Sequence, residues 1–294
     1  MTEGNLFQGA FTALVTPFKN GQMDYKALEE LVEWQIAQGI DGLVPAGTTG
    51  ESATLSHEEH NEVNRRVLLA AKGRVPVIAG AGSNNTAEAI ALTRAAQNAG
   101  ADAALLVTPY YNKPSQEGMF RHYKAVAEQV SLPIIVYNVP GRTGVNLLPE
   151  TVKRLTEIPN VVGVKEASGT VEQAAKIHEL CPSLVVFSGD DALTLDMMAV
   201  GAKGVISVTA NIVPADVKKM VGLALKGKAD EARKIQQKLM PLHNALFLEA
   251  NPQPAKVALR MLGRGNGELR LPLWGISPEN EEKLRAALKG YGLL

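Results

Sequence analysis

The sequence predicts a (β/α)8 barrel, and two observations carry the prediction. Eight short apolar, β-branched runs recur between residues 10 and 208, each followed by an amphipathic stretch. Their starts lie about 20 to 33 residues apart, the spacing of strand–helix units. Each run is also nearly continuously apolar rather than alternating, as in parallel strands covered on both faces. A doubly wound sheet is the competing topology. It usually has fewer strands in order and a glycine-rich dinucleotide fingerprint at its first turn, and neither is present.

The strands are expected over residues 10–15, 42–46, 75–79, 103–108, 134–138, 161–165, 184–188 and 204–208. Asp24 is placed to cap a helix over 25–38, whose Leu28, Leu31, Val32 and Ile36 share one face. Ser56 followed by Glu59 is a capping box that opens a helix running to residue 71. Further helices are expected over 88–99, 116–130, 149–157, 171–180 and 193–200. After Val208 the strands stop, and 214–226, 228–249, 254–262 and 278–289 all read as helical. The expected division is a catalytic barrel over 1–212 and a C-terminal helical region over 213–294, too short for a comfortable core of its own and packed on the barrel.

Composition narrows the function. In 294 residues the hydrophobic fraction is 46% and the charged fraction 20%, an ordinary globular balance. Thirty basic and thirty acidic residues cancel, so no overall field draws nucleic acid or an anionic membrane. Cys181 is the one cysteine, which excludes a disulfide framework within the chain and a cysteine zinc site. The first five residues lack the basic-then-apolar pattern of a signal peptide, and no run of ~18 apolar residues appears, so a cytoplasmic protein is expected. His57, His60, His122, His178 and His243 avoid the strand ends and show no metal-binding spacing beyond the weak pair His57 and His60, so no metal is expected.

Barrel enzymes carry their sites at the C-terminal ends of the strands. Lys165 stands out there, because it follows Val161-Val162-Gly163-Val164 and so enters an apolar barrel. Burying an unpaired ammonium is unfavourable and promotes the neutral amine that attacks carbonyls. The alternatives are a snorkelling lysine or a pair with Glu166, although alternation along a strand points Glu166 to the other face. Gly47-Thr48-Thr49-Gly50-Glu51, after the second strand, offers backbone N–H groups and two hydroxyls to an anion, or is a plain glycine-rich turn. Arg142, in the loop after the fifth strand, suits a bidentate contact with a carboxylate, or is a solvated loop arginine. Tyr137 closes that strand as a proton relay or a packed aromatic. Asp190 and Asp191 after the seventh strand disfavour a phosphate substrate.

Taken together, these stretches resemble the dihydrodipicolinate synthase family, within the pyruvate-dependent class I aldolases that include N-acetylneuraminate lyase. The matching stretches are 47–51, 107–112, 137–144, 164–166, 188–191 and 204–211, and the likeness extends over essentially the whole chain, including 239–244 and 271–272. Gly-x-x-Gly-Glu and the strand-six lysine mark the wider family, whereas Tyr-Asn-Val-Pro-x-Arg-Thr is more specific. The resemblance implies that Lys165 forms a Schiff base with pyruvate. It implies a proton relay of Thr48, Tyr137 and Tyr111, with Tyr111 reaching in from a neighbouring subunit. Thr49, Gly189 and Ile206 would line the pyruvate site, and Arg142 would bind the carboxylate of L-aspartate 4-semialdehyde. The family also implies a homotetramer built from two tight dimers, and no cofactor. Ser52, Ala53, His57, His60, Asn84, Glu88 and Tyr110 match the positions that bind L-lysine in lysine-inhibited members. A sugar-acid lyase is the nearest rival, and Arg142 argues against it, since a polyhydroxylated substrate needs several hydrogen-bonding side chains. A catalytically dead metabolite-binding barrel is disfavoured by the intact set of Thr48, Tyr111, Tyr137 and Lys165.

Overall fold

The computed structural model describes residues 6–294. Residues 1–5, on which the signal-peptide reading rests, lie outside them. Eight strands form one sheet: β1 (Gly9–Ala13), β2 (Gly42–Val44), β3 (Ile78–Gly80), β4 (Ala103–Val107), β5 (Ile134–Asn138), β6 (Val161–Glu166), β7 (Val185–Ser188) and β8 (Gly204–Ser207). They pair in the order β2-β1-β8-β7-β6-β5-β4-β3, every pair parallel. A parallel bridge between Leu43 and Val77 closes the ring. Beside it Leu43 N donates to Pro76 O and Gly80 N to Pro45 O, each at 3.0 Å. The fold is the expected (β/α)8 barrel. β3 starts later than residue 75 because Pro76 has no N–H to give to a ladder.

The barrel helices are α1 (Tyr25–Ala37), α2 (His57–Ala71), α3 (Thr86–Ala99), α4 (Gln116–Ala127), the single turn α5 (Pro140–Thr143), α6 (Pro149–Leu155), α7 (Val171–Leu180) and α8 (Thr194–Ala199). Their starts follow local chemistry. Asp24 accepts from Ala27 N, and both halves of the Ser56–Glu59 capping box form. Asn85 caps α3 through Ala87 N, so that helix opens two residues before Glu88. Four helices follow β8: α9 (Pro214–Leu225), α10 (Ala229–Ala245), α11 (Gln253–Met261) and α12 (Pro278–Tyr291). α9 packs on β1, where a barrel's eighth helix belongs; α10 packs on α9, and α12 packs on both α10 and α11. Three small features break the simple alternation: the hairpin Phe18–Lys19/Gln22–Met23 and the 3-10 turns Ser52–Thr54 and Thr209–Asn211.

The barrel interior is filled by Phe11, Val44, Ile78, Leu105, Ile135, Phe187 and Ile206. Phe11 and Phe187 meet edge to face at 5.2 Å. Gly42 makes this possible, since a Cβ there would fall 2.1 Å from the Phe11 ring. The barrel interior below the C-terminal strand ends is therefore packed with side chains. No helix among the described residues is long and apolar enough to cross a membrane.

Candidate active site

The strand register brings the reactive residues together. β5 and β6 pair with Tyr137 opposite Lys165, and β6 and β7 pair with Lys165 opposite Phe187. Lys165 is only 6% exposed. Its Nζ lies 4.2 Å from the centre of the Tyr137 ring, and it makes no hydrogen bond or ion pair among the described residues. The Glu166 alternative fails on geometry. That carboxylate faces the helices, accepting from Asn138 Nδ2 at 3.1 Å, Ser168 N at 2.6 Å and Gln173 Nε2 at 2.9 Å. Gly189 follows β7, and a Cβ built on it would lie 3.0 Å from Lys165 Cε. The missing side chain lets the backbone after β7 pack close against the Lys165 stem. Ile206 of β8 is buried in the same barrel interior.

Asp191 sets the neighbouring corner. Its carboxylate accepts from Ser207 Oγ, from Val208 N at 2.9 Å and from Thr209 N at 3.0 Å. The backbone amides that many barrels offer to phosphate after β8 are thus occupied by the protein's own anion.

The loop after β2 is held from far along the chain. Thr49 Oγ1 accepts from Asn251 Nδ2 at 2.9 Å. Glu51 adopts a left-handed φ of 53° and pairs with Lys256 of α11, their side chains 0% and 4% exposed. Burial pushes the Lys256 amine below its ordinary pKa, and the Glu51 carboxylate partly offsets this. Arg270 N donates to the other Glu51 oxygen at 3.2 Å, and the Arg270 guanidinium pairs with Glu59.

A cavity of about 540 Å³ opens beside this loop. It is lined by Thr48, Arg142 and Asn251, and also by Ser52, Ala53, His57, His60, Glu88 and Tyr110. Arg142 Nη2 donates to Asn251 O at 3.2 Å. Asn84 stands behind the wall, giving its Nδ2 to Tyr110 O at 3.0 Å. Glu88 accepts from Ser83 Oγ at 2.8 Å. Burial lowers the His60 imidazole to about 4. The profile of the Dihydrodipicolinate synthetase family matches residues 6–291.

The chain belongs to this family. It is 57% identical over 290 residues to the 4-hydroxy-tetrahydrodipicolinate synthase of Geotalea uraniireducens, covering 98% of this chain and 100% of that one. Among solved structures it resembles the chloride-inhibited dihydrodipicolinate synthase of Acinetobacter baumannii complexed with pyruvate, at 50% identity and a TM-score of 0.96, over 98% of this chain and 99% of the other. The dihydrodipicolinate synthase of Cyanidioschyzon merolae with lysine bound is similar at 45% identity and a TM-score of 0.95, again over 98% and 99%.

Within this synthetase-family fold the expected residues fall into three places. Lys165, Tyr137, Gly189 and Ile206 meet at the barrel mouth. Thr48 and Arg142 line the cavity together with all of the matched lysine-binding positions except Asn84. Tyr111 stands apart from both, 89% exposed and at φ 71° on the loop after β4. No side-chain hydrogen bond joins Thr48, Tyr111 and Tyr137 among the described residues. Sequence reasoning missed Asn251 and Lys256. Lys256 carried a usable signal, a lone lysine in the apolar run Pro-Ala-Lys-Val-Ala-Leu, which is the pattern that singled out Lys165. Asn251 falls between the helices expected over 228–249 and 254–262, where the sequence assigned no element and no role.

Proposed function

We propose that this protein condenses pyruvate with L-aspartate 4-semialdehyde to give 4-hydroxy-tetrahydrodipicolinate, a step in lysine and diaminopimelate biosynthesis. It is a lyase of the class I aldolase type and works without a cofactor, in the cytoplasm. The observation that carries the mechanism is a buried lysine at the barrel mouth, set against the Tyr137 ring and with no anionic partner among the described residues. The Lys165 amine attacks the keto carbon of pyruvate, and water leaves to give the iminium. The iminium acidifies the adjacent methyl group, and loss of a proton gives the enamine. Its methylene carbon attacks the aldehyde, whose oxygen takes up a proton and becomes the hydroxyl. The amino group of the second substrate then adds to the iminium carbon. This displaces Lys165 and closes the ring. Each step moves a proton, which is the role assigned to Thr48, Tyr137 and Tyr111. Thr49, Gly189 and Ile206 line the pyruvate site, and Arg142 holds the carboxylate of the aldehyde.

The outward exposure of Tyr111 supports its serving a neighbouring subunit, in a homotetramer made of two dimers. The cavity next to the catalytic loop supports a site for L-lysine as inhibitor, formed by Ser52, Ala53, His57, His60, Asn84, Glu88 and Tyr110, with Glu88 facing the ligand's ammonium. Residues 1–212 act as the catalytic barrel, and the helical region 213–294 braces the loop after β2. Borohydride reduction in the presence of pyruvate tests the central step. A reduced pyruvyl adduct should map to Lys165 alone and vanish in Lys165→Ala, and L-aspartate 4-semialdehyde should be consumed by the untreated enzyme. An adduct on another lysine, or one retained in Lys165→Ala, overturns the assignment.

A further inference from the structure

We infer that Asn251 is a positioning residue that orients both carboxylate-binding groups of the site, one for each substrate. The inference rests on the pyruvate-condensing reading above. Asn251 lies in the turn between α10 and α11 and is 5% exposed. It makes two bonds to two different barrel loops. Its side-chain Nδ2 donates to Thr49 Oγ1 at 2.9 Å, and its backbone carbonyl accepts from Arg142 Nη2 at 3.2 Å.

The direction of the first bond matters. A threonine hydroxyl has one hydrogen and two lone pairs. With Asn251 supplying the donor, the hydrogen on Thr49 Oγ1 is not needed for this contact, and it finds no acceptor among the described residues. Thr49 is thereby set as a donor, the role that an incoming carboxylate requires. Arg142 likewise has no carboxylate partner among the described residues. It is anchored through one nitrogen to a neutral carbonyl, which leaves the rest of its fork for a substrate anion. Asn251 Oδ1, meanwhile, is buried without a partner. A buried amide oxygen left unpaired is unfavourable and calls for an explanation. What asparagine itself supplies here is the N–H donor, since no other type offers a neutral side-chain donor of the same shape; the carbonyl that holds Arg142 belongs to the backbone.

The test separates direction from shape. Asn251→Ala removes the Thr49 bond and keeps the carbonyl that holds Arg142. It should raise KM for pyruvate about three- to tenfold, with kcat and KM for the aldehyde nearly unchanged. Asn251→Asp keeps the shape but can only accept. It captures the Thr49 hydrogen and places a negative charge beside the pyruvate carboxylate, so it should raise KM for pyruvate by more than about thirtyfold. Adding Asn251→Ala to Thr49→Val should have no further effect on pyruvate. A purely structural residue would give the opposite order, with the isosteric Asn251→Asp milder than Asn251→Ala. That order, an unchanged pyruvate KM in both variants, or a full extra loss on the Thr49→Val background overturns the inference. Should Asn251→Ala fail to fold, Asn251→Asp measured against the wild type probes the same bond, and an unchanged pyruvate KM in that variant alone overturns the inference. Borohydride trapping of pyruvate on the wild-type chain is run in parallel. If Lys165 is not labelled there, the underlying reading fails; if it is labelled and the variants disagree, only the role of Asn251 falls.

Discussion

Replacing Gly189 by alanine adds one methyl group where the structure leaves no room for it. The new Cβ would lie 2.7 Å from Ala167 Cβ, 3.0 Å from Lys165 Cε and 3.2 Å from Glu166 O. The contact with Ala167 Cβ is too close for any carbon pair and forces a shift, whereas Lys165 Cε and the Glu166 oxygen need give only a few tenths of an ångström. Ala167 and the Glu166 carbonyl belong to the end of β6, and Gly189 N donates to that same carbonyl at 2.8 Å, so the backbone resists. The Lys165 side chain is flexible and yields its few tenths of an ångström, but the Ala167 contact is relieved only by moving backbone at the ends of β6 and β7. Crowding of this size costs about 1–3 kcal/mol of stability. Together these shifts misplace the Lys165 amine and are expected to slow Schiff-base formation about tenfold or more. Single-turnover trapping with pyruvate and borohydride, read by intact mass, measures that rate, while thermal unfolding confirms that the variant folds. A folded Gly189→Ala enzyme that labels Lys165 at the wild-type rate would refute the claim that this glycine makes room for the chemistry.

Lys256→Ala should destabilise the protein by about 3–5 kcal/mol in urea unfolding, because it strands the fully buried Glu51 carboxylate. Lys256→Met with Glu51→Gln should recover much of that loss, and a double variant as unstable as the single one would argue against a charge effect. Burial lowers both His60 and His122 from 6.5 to about 4, so the folded state refuses protons that the unfolded state accepts in that window. Their contribution is full above pH 6.5 and falls as pH drops toward 4, by up to about 3 kcal/mol for each imidazole. Urea midpoints that stay level over this range would contradict it. Calorimetry with L-lysine should show binding heat that Glu88→Ala weakens, and the absence of both heat and inhibition at millimolar lysine removes the effector site. Sedimentation should find no active monomer, and mixed Tyr111→Phe and Lys165→Ala subunits should partly restore activity to each other; no recovery would place Tyr111 outside the neighbour's site.

What could be read from the chain alone was whatever depends on near neighbours. Asp24, Ser56 and Glu59 act within a few residues of themselves, and their helices begin where those side chains place them. The inward turn of Lys165 and the outward turn of Glu166 follow from strand alternation by the same logic. The brace on the active site was hidden because its partners are far apart along the chain. Thr49 and Asn251 are separated by 202 residues, and Glu51 and Lys256 by 205. Periodicity carries no information about such pairs. The anchoring of Asp191 was partly visible. Its charge spoke against phosphate in the sequence, but that Asp191 itself fills the amides after β8 needed the loop geometry. Glu51 and Tyr111 in left-handed backbone were equally out of reach, since neither residue type advertises a positive φ.

The separation of 205 residues between Glu51 and Lys256 also sets an order of events during synthesis. At the usual pace of translation, about 10 to 40 s pass between the emergence of the loop after β2 and the emergence of its counter-ion. The six later strands and Lys165 leave the ribosome within that interval, β1 and β2 having emerged before it. A nascent chain can thus own a nearly complete barrel and a nucleophilic amine while Glu51 still lacks its buried partner and Thr49 its amide donor. The competent anion-binding loop is a property of the finished polypeptide. Premature termination after β8 would yield a product that carries Lys165 but lacks both Asn251 and Lys256, the partners of Thr49 and Glu51.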